Sequence, residues 1–403
     1  MPKHFLIFVA VHLFAVSTAA IGQEPNLERA MVIGEVTSLV REHFFDATVD
    51  LNEWRERAES LREASTEASS RDDLERQMNS LLATLETSHT YYYSINDPKR
   101  YQLLGIFSLL HKDKVEFEKR KLFLYDGIGM ETRQVDGQTF VSAVYEGLPA
   151  FNAGLRFGDR IKSVDGDPFH RMNSFQGKTG KQVTVSVERE SKVIDLPVRV
   201  AMLDGRTMFA QALEASMRVI KRGEKQIGYV HVWSYAGAEY QEKIRAALLW
   251  GELSMCDALV FDIRDGWGGA DLNYLNLFRE PIATVTSTAK NGDARSFSGV
   301  WQRPVVLLTN GGSTSGKELF SFGFKKLKLG KVIGETTAGA VVAGRSFLLS
   351  NGDVLYLAVS DVHVDGIRLE GRGVEPDILV NRPLKNASAE DPQLERAIKE
   401  MLK

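Results

Sequence analysis

Apolar and polar positions alternate differently along three successive stretches of this chain, behind a short apolar start. Residues 5–16 are almost wholly apolar; they follow the basic Met1-Pro2-Lys3-His4 and precede the small residues Ser17-Thr18-Ala19-Ala20-Ile21-Gly22. That order is the pattern of a cleaved export signal, and the run is too short to span a bilayer. With no cysteine near the cleavage point, a lipid-anchored form is not expected. The mature chain is therefore expected outside the cytoplasm, periplasmic or secreted, with residues 1–22 removed and no stable membrane anchor. From 27 to 85 apolar residues recur at helical spacing: Met31, Ile33, Val36, Leu39 and Val40, then Leu74, Met78, Leu81, Leu82 and Leu85. The charged, Ser/Ala-rich stretch 55–76 suits exposed helix faces. A helical domain over 23–105 follows.

Near residue 124 the period shortens. Asp126-Gly127-Ile128-Gly129-Met130 leads into an apolar strand at 139–144, and Val183-Thr184-Val185-Ser186-Val187 reads as the last alternating strand of a β-rich unit over 120–200. From 227 onward strands alternate with helices. The spacing predicts strands at 227–233, 258–264, 305–308, 332–334 and 354–359, with helices at 238–249, from 273, and at 317–326. Residues 286–298 are polar and read as a surface loop. The pattern implies a sheet covered by helices over 205–385 and a terminal helix over 386–403, so the fold class is a multidomain α/β protein.

Composition changes this picture little. The chain has 403 residues, a formal net charge of -3 and a single cysteine, Cys256. Neither nucleic acid nor an anionic membrane is expected as partner. An intramolecular disulfide is impossible, and no Cys/His cluster has metal-ligand spacing, so neither metal nor cofactor is expected.

The candidate chemistry begins at Ser315. The apolar run Val305-Val306-Leu307-Leu308 stops at Asn310-Gly311-Gly312, and a helical pattern resumes after Ser313-Thr314-Ser315-Gly316. A hydroxyl at such a strand-to-helix turn either caps the helix or serves as a nucleophile beside free N–H groups. A second glycine turn, Gly268-Gly269, follows the 258–264 strand. Its glycines either make a tight turn or, with the N–H of Gly316, form an oxyanion hole.

Several segments in fixed order resemble a known family. Gly147-Leu148-Pro149-Ala150, Ala153-Gly154-Leu155, Gly158-Asp159-Arg160-Ile161 and Val164-Asp165-Gly166 resemble a bacterial PDZ domain. That implies peptide C-termini bound at Gly127, Ile128, Gly129 and Met130 by strand addition. The stretch 169–181, with Gly177 and Gly180, is short for the usual groove helix, so the unit is either a working peptide clamp or a purely structural module. Asp262-Ile263-Arg264 with Gly268-Gly269, Asn310 with Ser313-Thr314-Ser315-Gly316-Lys317-Glu318, Gly334-Glu335-Thr336-Thr337-Ala338-Gly339 and Gly373-Val374-Glu375-Pro376-Asp377 resemble the tail-specific, or C-terminal processing, serine proteases. That family includes the tricorn protease core and the repeats of interphotoreceptor retinoid-binding protein, and its core is of the ClpP/crotonase-like kind.

The resemblance implies that Ser315, three residues before Glu318, is the nucleophile. The family's activating lysine is missing after the Gly-Glu-Thr-Thr-Ala-Gly turn, where Ala340 stands, and Lys317 should face away from Ser315 on its helix. The tricorn-like branch uses a histidine instead. His89 in Thr87-Ser88-His89 matches it as general base, and Glu370, just before Gly373-Val374, matches the carboxylate that orients the imidazole, with Ser88 bonded to Glu370. These assignments imply a serine peptidase acting on peptides or unfolded proteins without metal or cofactor. Each has a plainer alternative: His89 as part of an aromatic cluster with Tyr91, Tyr92 and Tyr93, Glu370 as a surface partner of Arg368 and Arg372. His231 and His363 read as ordinary sheet residues. The competing function is a catalytically inactive scaffold of the same family that binds peptides or small apolar ligands.

Overall fold

The computed structural model describes residues 24–64, 70–107, 123–385, 387 and 390–403. The apolar start lies outside them. The first helices span Glu24–His43, Leu51–Ala64 and Arg71–Ala83. Ser70 caps the third by accepting the Asp73 N–H at 3.1 Å, and Asp72 and Asp73 place negative charge at its positive end. The apolar stripes of these helices do not close on themselves. Val32, Val36, Trp54, Met78 and Leu82 share one core with Val342, Leu355, Leu357 and Ala358.

The link is a strand that the helical reading of 23–105 did not include. Tyr91–Tyr93 pairs antiparallel with the Val354–Ser360 strand, Tyr91 opposite Tyr356 and Tyr93 opposite Val354. Three consecutive tyrosines favour extended backbone, and burying Tyr92 completely gives the pairing its apolar drive. The Tyr92 hydroxyl donates to Asp353, which also accepts Arg71 at 2.8 Å and the Ile95 N–H at 2.9 Å. The Tyr92 hydroxyl and the Ile95 N–H thus fasten the chain just past His89 to the core.

The β-rich unit is a five-stranded antiparallel sheet in the order Met130–Val135, Gln138–Val144, Arg160–Val164, Gln182–Arg189, Lys192–Arg199. Its core is Ile128, Val141, Ile161, Val183, Val185, Val187 and Val198. The strand containing Val183–Val187 is not the last. The hairpin that continues it turns on Glu190 and Ser191, both at positive φ (49° and 64°), a turn usually built from Asn-Gly, and the edge strand beyond is mostly exposed. The unit also extends past 200, because Ala201–Asp204 pairs with Leu124–Gly127. Residues 169–181 form turns, with no helix.

The C-terminal part is built on a six-stranded sheet ordered Ile378–Leu379, Lys331–Gly334, Val305–Thr309, Ala258–Asp262, Lys225–His231, Arg218–Arg222. All neighbours are parallel except the last pair. Every residue of Ala258–Asp262 and Val305–Thr309 is buried, as expected for parallel strands covered on both faces. Phe320 and Phe324 of the Gly316–Lys326 helix pack on one face with Leu307 and Phe261. Ala397 and Ile398 of the Pro392–Met401 helix pack on the other with Val260, Val306 and Leu308. That helix begins at Pro392, capped by Asp391, later than the expected 386. The stretch 272–278 is a 3₁₀ helix, Leu272–Phe278.

The expected loop at 286–298 is instead a two-stranded hairpin, Val285–Thr288 with Ala294–Phe297; all of its residues are exposed, so no buried face marks it in the sequence. Among the described residues no helix is long and apolar enough to cross a membrane.

Candidate functional site

The loops leaving the C-terminal ends of the parallel strands converge, where open α/β sheets place their ligands. Asn310–Thr314 leave Val305–Thr309, and Ser315 sits at the N-cap of Gly316–Lys326 with φ 56° and ψ -122°. A serine held at positive φ stores about 1–3 kcal/mol and persists only where its surroundings fix it. Here the Ser315 N–H lies 3.1 Å from Glu318 Oε2 and 2.9 Å from the Ala340 carbonyl. Glu318 is completely buried and also accepts the Thr337 hydroxyl at 2.6 Å and the N–H groups of Gly339 and Ala340 at 2.7 and 2.8 Å. Burial pushes its carboxyl up, and these donors oppose the shift. In the sequence Glu318 served only to mark a spacing. Its work as a clamp was readable from the Ser-x-x-Glu capping pattern of Ser315-Gly316-Lys317-Glu318.

The second glycine turn lies against the first. A Cβ on Gly268 would stand 2.7 Å from Ser315 Cβ and 2.9 Å from Gly316 N; one on Gly316 would stand 2.7 Å from Gly269 N. Among the described residues, no backbone hydrogen bond is donated by Gly268, Gly269 or Gly316. Three N–H groups without an internal partner therefore cluster beside the Ser315 side chain. Gly268→Ala should press its methyl onto Thr314 O, only 2.6 Å away, and displace this turn.

His89 precedes the Tyr91–Tyr93 strand, so the register of that strand delivers it beside Tyr356, ring centroids 5.2 Å apart. Its φ is 55°. Nδ1 lies 2.9 Å from Ser88 Oγ, and Ser88 Oγ donates to Glu370 Oε2 at 3.0 Å. Glu370 also accepts the Ser88 N–H at 2.9 Å and the Val341 N–H at 2.6 Å. The expected Ser88–Glu370 bond is present, and Ser88 stands between the carboxylate and the imidazole. Since the Ser88 hydroxyl donates to Glu370, it accepts from Nδ1–H, which leaves the Nε2 lone pair free of that chain. Burial lowers the imidazole to about 4, although the Glu370 charge pulls upward.

Position 340, where the family lysine would stand, supplies backbone only: its carbonyl holds Ser315 and its N–H holds Glu318. Glu370 does not pair with the flanking arginines; Arg368 turns to Asp361 at 3.1 Å. Ser88, His89, Gly268, Gly269 and Ser315 line one cavity of ≈ 490 Å³. Gly127, Ile128, Gly129 and Met130 line the same cavity, and the adjoining Met130–Val135 strand is at a sheet edge. Among the described residues no group of three or more His, Cys, Asp or Glu is placed to hold a metal.

Two further groups behave differently from a plain sheet reading. His231 is buried, with Nδ1 3.1 Å from Glu146 and Nε2 3.1 Å from the Arg264 carbonyl. Asp262 and Arg264 form a buried pair at 2.5 Å that continues to Asp391, and they set the start of the glycine turn. Burial works against the Asp262 charge, but Arg264 and His231 outweigh it and hold the carboxyl well below its ordinary range.

Comparison with known proteins bears on the fold. Residues 226–380 match the model of peptidase family S41, and residues 127–200 match that of the PDZ domain. The chain is thus similar to S41 peptidases over residues 226–380 and to PDZ domains over residues 127–200. It is similar to the carboxy-terminal processing protease CtpB of Bacillus subtilis (strain 168), 23% identical over 276 residues, covering 64% of this chain and 56% of that one. It is also similar to the protein named "Probable CtpA-like serine protease" of Staphylococcus aureus (strain N315), 24% identical over 274 residues, covering 64% and 53%. The matches thus span little more than half the length of these relatives. The fold is similar to that of the tricorn protease crystal structure, with a TM-score of 0.55, 21% identity and coverage of 94% of this chain and 37% of that one.

Proposed function

We propose that this chain is a serine peptidase that hydrolyses peptide bonds with Ser315 as nucleophile, His89 as general base and Glu370 acting through Ser88. The observation that carries this reading is the chain of hydrogen bonds from His89 through Ser88 to Glu370, ending at a cavity that Ser315, Gly268 and Gly269 also line. In the first step Nε2 of His89 takes the Ser315 proton as the hydroxyl oxygen attacks the scissile carbonyl. The carbonyl oxygen becomes negative within reach of the Gly268, Gly269 and Gly316 N–H groups at a helix N-terminus. The proton then passes to the leaving amine, and water repeats the sequence on the acyl-enzyme. Glu370 stabilises the imidazolium through Ser88, which fixes the tautomer.

The shared cavity suggests how a substrate enters. A peptide tail adds to the Met130–Val135 edge with its carboxylate at Gly127–Met130, and the chain upstream runs towards Ser315. The substrate class is then a peptide or unfolded protein with a free C-terminus. The compartment consistent with the N-terminal pattern is extracytoplasmic.

Labelling with a fluorescent fluorophosphonate tests the reading. The wild type should be labelled and Ser315→Ala should not; an unlabelled wild type, under conditions that label an active serine peptidase, favours the binding scaffold. The low imidazole value makes a second prediction. A base that is neutral above about 4, well under the ordinary 6.5, keeps kcat/KM flat from neutral pH down to about 5, with an acid limb centred near 4. A pH–rate profile with its acid limb near 6.5 contradicts it. The same shift has a stability consequence. Between 4 and 6.5 the unfolded chain binds more protons at this residue, so stability falls as pH drops through that window.

A further inference from the structure

Lys317 is completely buried two residues after Ser315, yet it is absent from the ion pairs of the described residues. Its ammonium donates to two main-chain carbonyls, Trp233 O at 3.2 Å and Asp265 O at 2.5 Å. Taking an ammonium out of water without an opposing carboxylate in contact is costly, so a buried lysine of this kind needs a reason. Desolvation pulls it down to about 7, against the upward pull of Asp265, Asp262 and Glu131. Both contacts are acceptors, and the ammonium is the form with three donors to offer them.

The two carbonyls belong to the supports of the glycine turn. Trp233 O also accepts the Trp267 N–H at 2.7 Å, and Tyr235 N–H donates to Gly268 O at 3.1 Å. Gly266 packs so closely that a Cβ there would lie 2.0 Å from Trp233 O. Asp265 is the residue from which the turn departs. Lys317 therefore joins the helix that carries Ser315 to the start of the segment that carries the Gly268 and Gly269 N–H groups and to the carbonyl that holds Trp267 in its middle.

We infer that Lys317 is a positioning residue for the oxyanion hole: its ammonium holds the Asp265–Gly269 turn in register with Ser315. This rests on the proposed peptidase reading for its consequence in catalysis, but not for its effect on the turn. Removing the ammonium takes a donor from each of the two carbonyls, and the turn loses its tie to the helix. Because the N–H groups bind the developing oxyanion more than the ground-state carbonyl, the loss should fall on kcat.

The test compares the full-length wild type with Lys317→Met, which keeps an apolar stem as far as Cε and lacks the ammonium. Hydrogen–deuterium exchange is the readout independent of activity. The amides of Trp267 and Tyr235 should exchange at least about tenfold faster in Lys317→Met, with the Ala258–Asp262 and Val305–Thr309 strands unchanged. In hydrolysis kcat should fall about 100-fold while KM changes less than about threefold. A third protein restores the charge: Lys317→Cys in a Cys256→Ala background, aminoethylated while unfolded and then refolded. It should recover slow exchange and most of kcat, whereas the unmodified cysteine should not. Unchanged exchange at Trp267 and Tyr235 in Lys317→Met overturns the inference, whatever the activity. Should Lys317→Met unfold globally, the comparison of aminoethylated with unmodified protein decides: equal exchange in the two overturns it. Faster exchange in a protein whose wild type neither hydrolyses peptides nor takes the fluorophosphonate label upholds the positioning role and overturns the peptidase reading alone.

Discussion

Ser315→Ala and His89→Ala should each lower kcat/KM by about 10⁴- to 10⁶-fold, and the double variant should be no worse than either alone. A nucleophile and its base act as one unit, so removing one leaves nothing for the other to do. What remains is catalysis by the N–H groups of Gly268, Gly269 and Gly316 acting on water-borne attack. Ser315→Ala should keep the fold, since the Ser315 N–H still holds this turn to Glu318 and Ala340. His89→Ala removes a buried ring packed on Tyr356, so a modest loss of stability should accompany the loss of rate. Additive losses in the double variant would show that the two residues serve separate steps. Full activity in either single variant would remove that residue from the mechanism.

The second large effect concerns Glu370, and it separates charge from packing. Glu370 accepts three donors, the Ser88 N–H, the Ser88 hydroxyl and the Val341 N–H. In Glu370→Gln one amide N–H₂ must face one of them, donor against donor. The imidazolium of the transition state also loses its counter-charge. A fall in kcat of about 10³- to 10⁴-fold is expected, with about 1–3 kcal/mol lost in stability to the unsatisfied donor. Ser88→Ala should cost about 10²- to 10³-fold in kcat, because it breaks the relay but leaves the carboxylate in place. Kinetics with thermal unfolding on the two variants give the order. If Ser88→Ala retains full kcat, the relay is not how the carboxylate acts, and a direct contact forms on substrate binding.

Much of the architecture was legible because it rests on local periodicity. The Ala238–Leu249 helix and the buried strands Ala258–Asp262 and Val305–Thr309 stand where their apolar patterns put them. The misplaced elements share a physical cause. The Lys192–Arg199 strand and the 285–297 hairpin are largely exposed, and the hairpin turn at Glu190-Ser191 uses residues that rarely take positive φ, so neither apolar alternation nor turn chemistry announces them. Tyr91–Tyr93 was hidden for another reason: three residues make a strand only because Val354–Tyr356, far along the chain, supplies the partner.

The candidate site divides along the same line. The sequence by itself determined the strand-to-helix turn at Ser315, the two glycine turns and the types of residue gathered there, because each depends on a few neighbours and on backbone chemistry. It also excluded a lysine at position 340. Tertiary structure alone decided that Ser88 stands between His89 and Glu370, that Glu318 ties the Ser315 turn to the 337–340 segment, and that Lys317 turns inward to two carbonyls. Those contacts span up to 282 residues of chain. Their geometry is set by how sheets register and pack, a property that local periodicity does not encode.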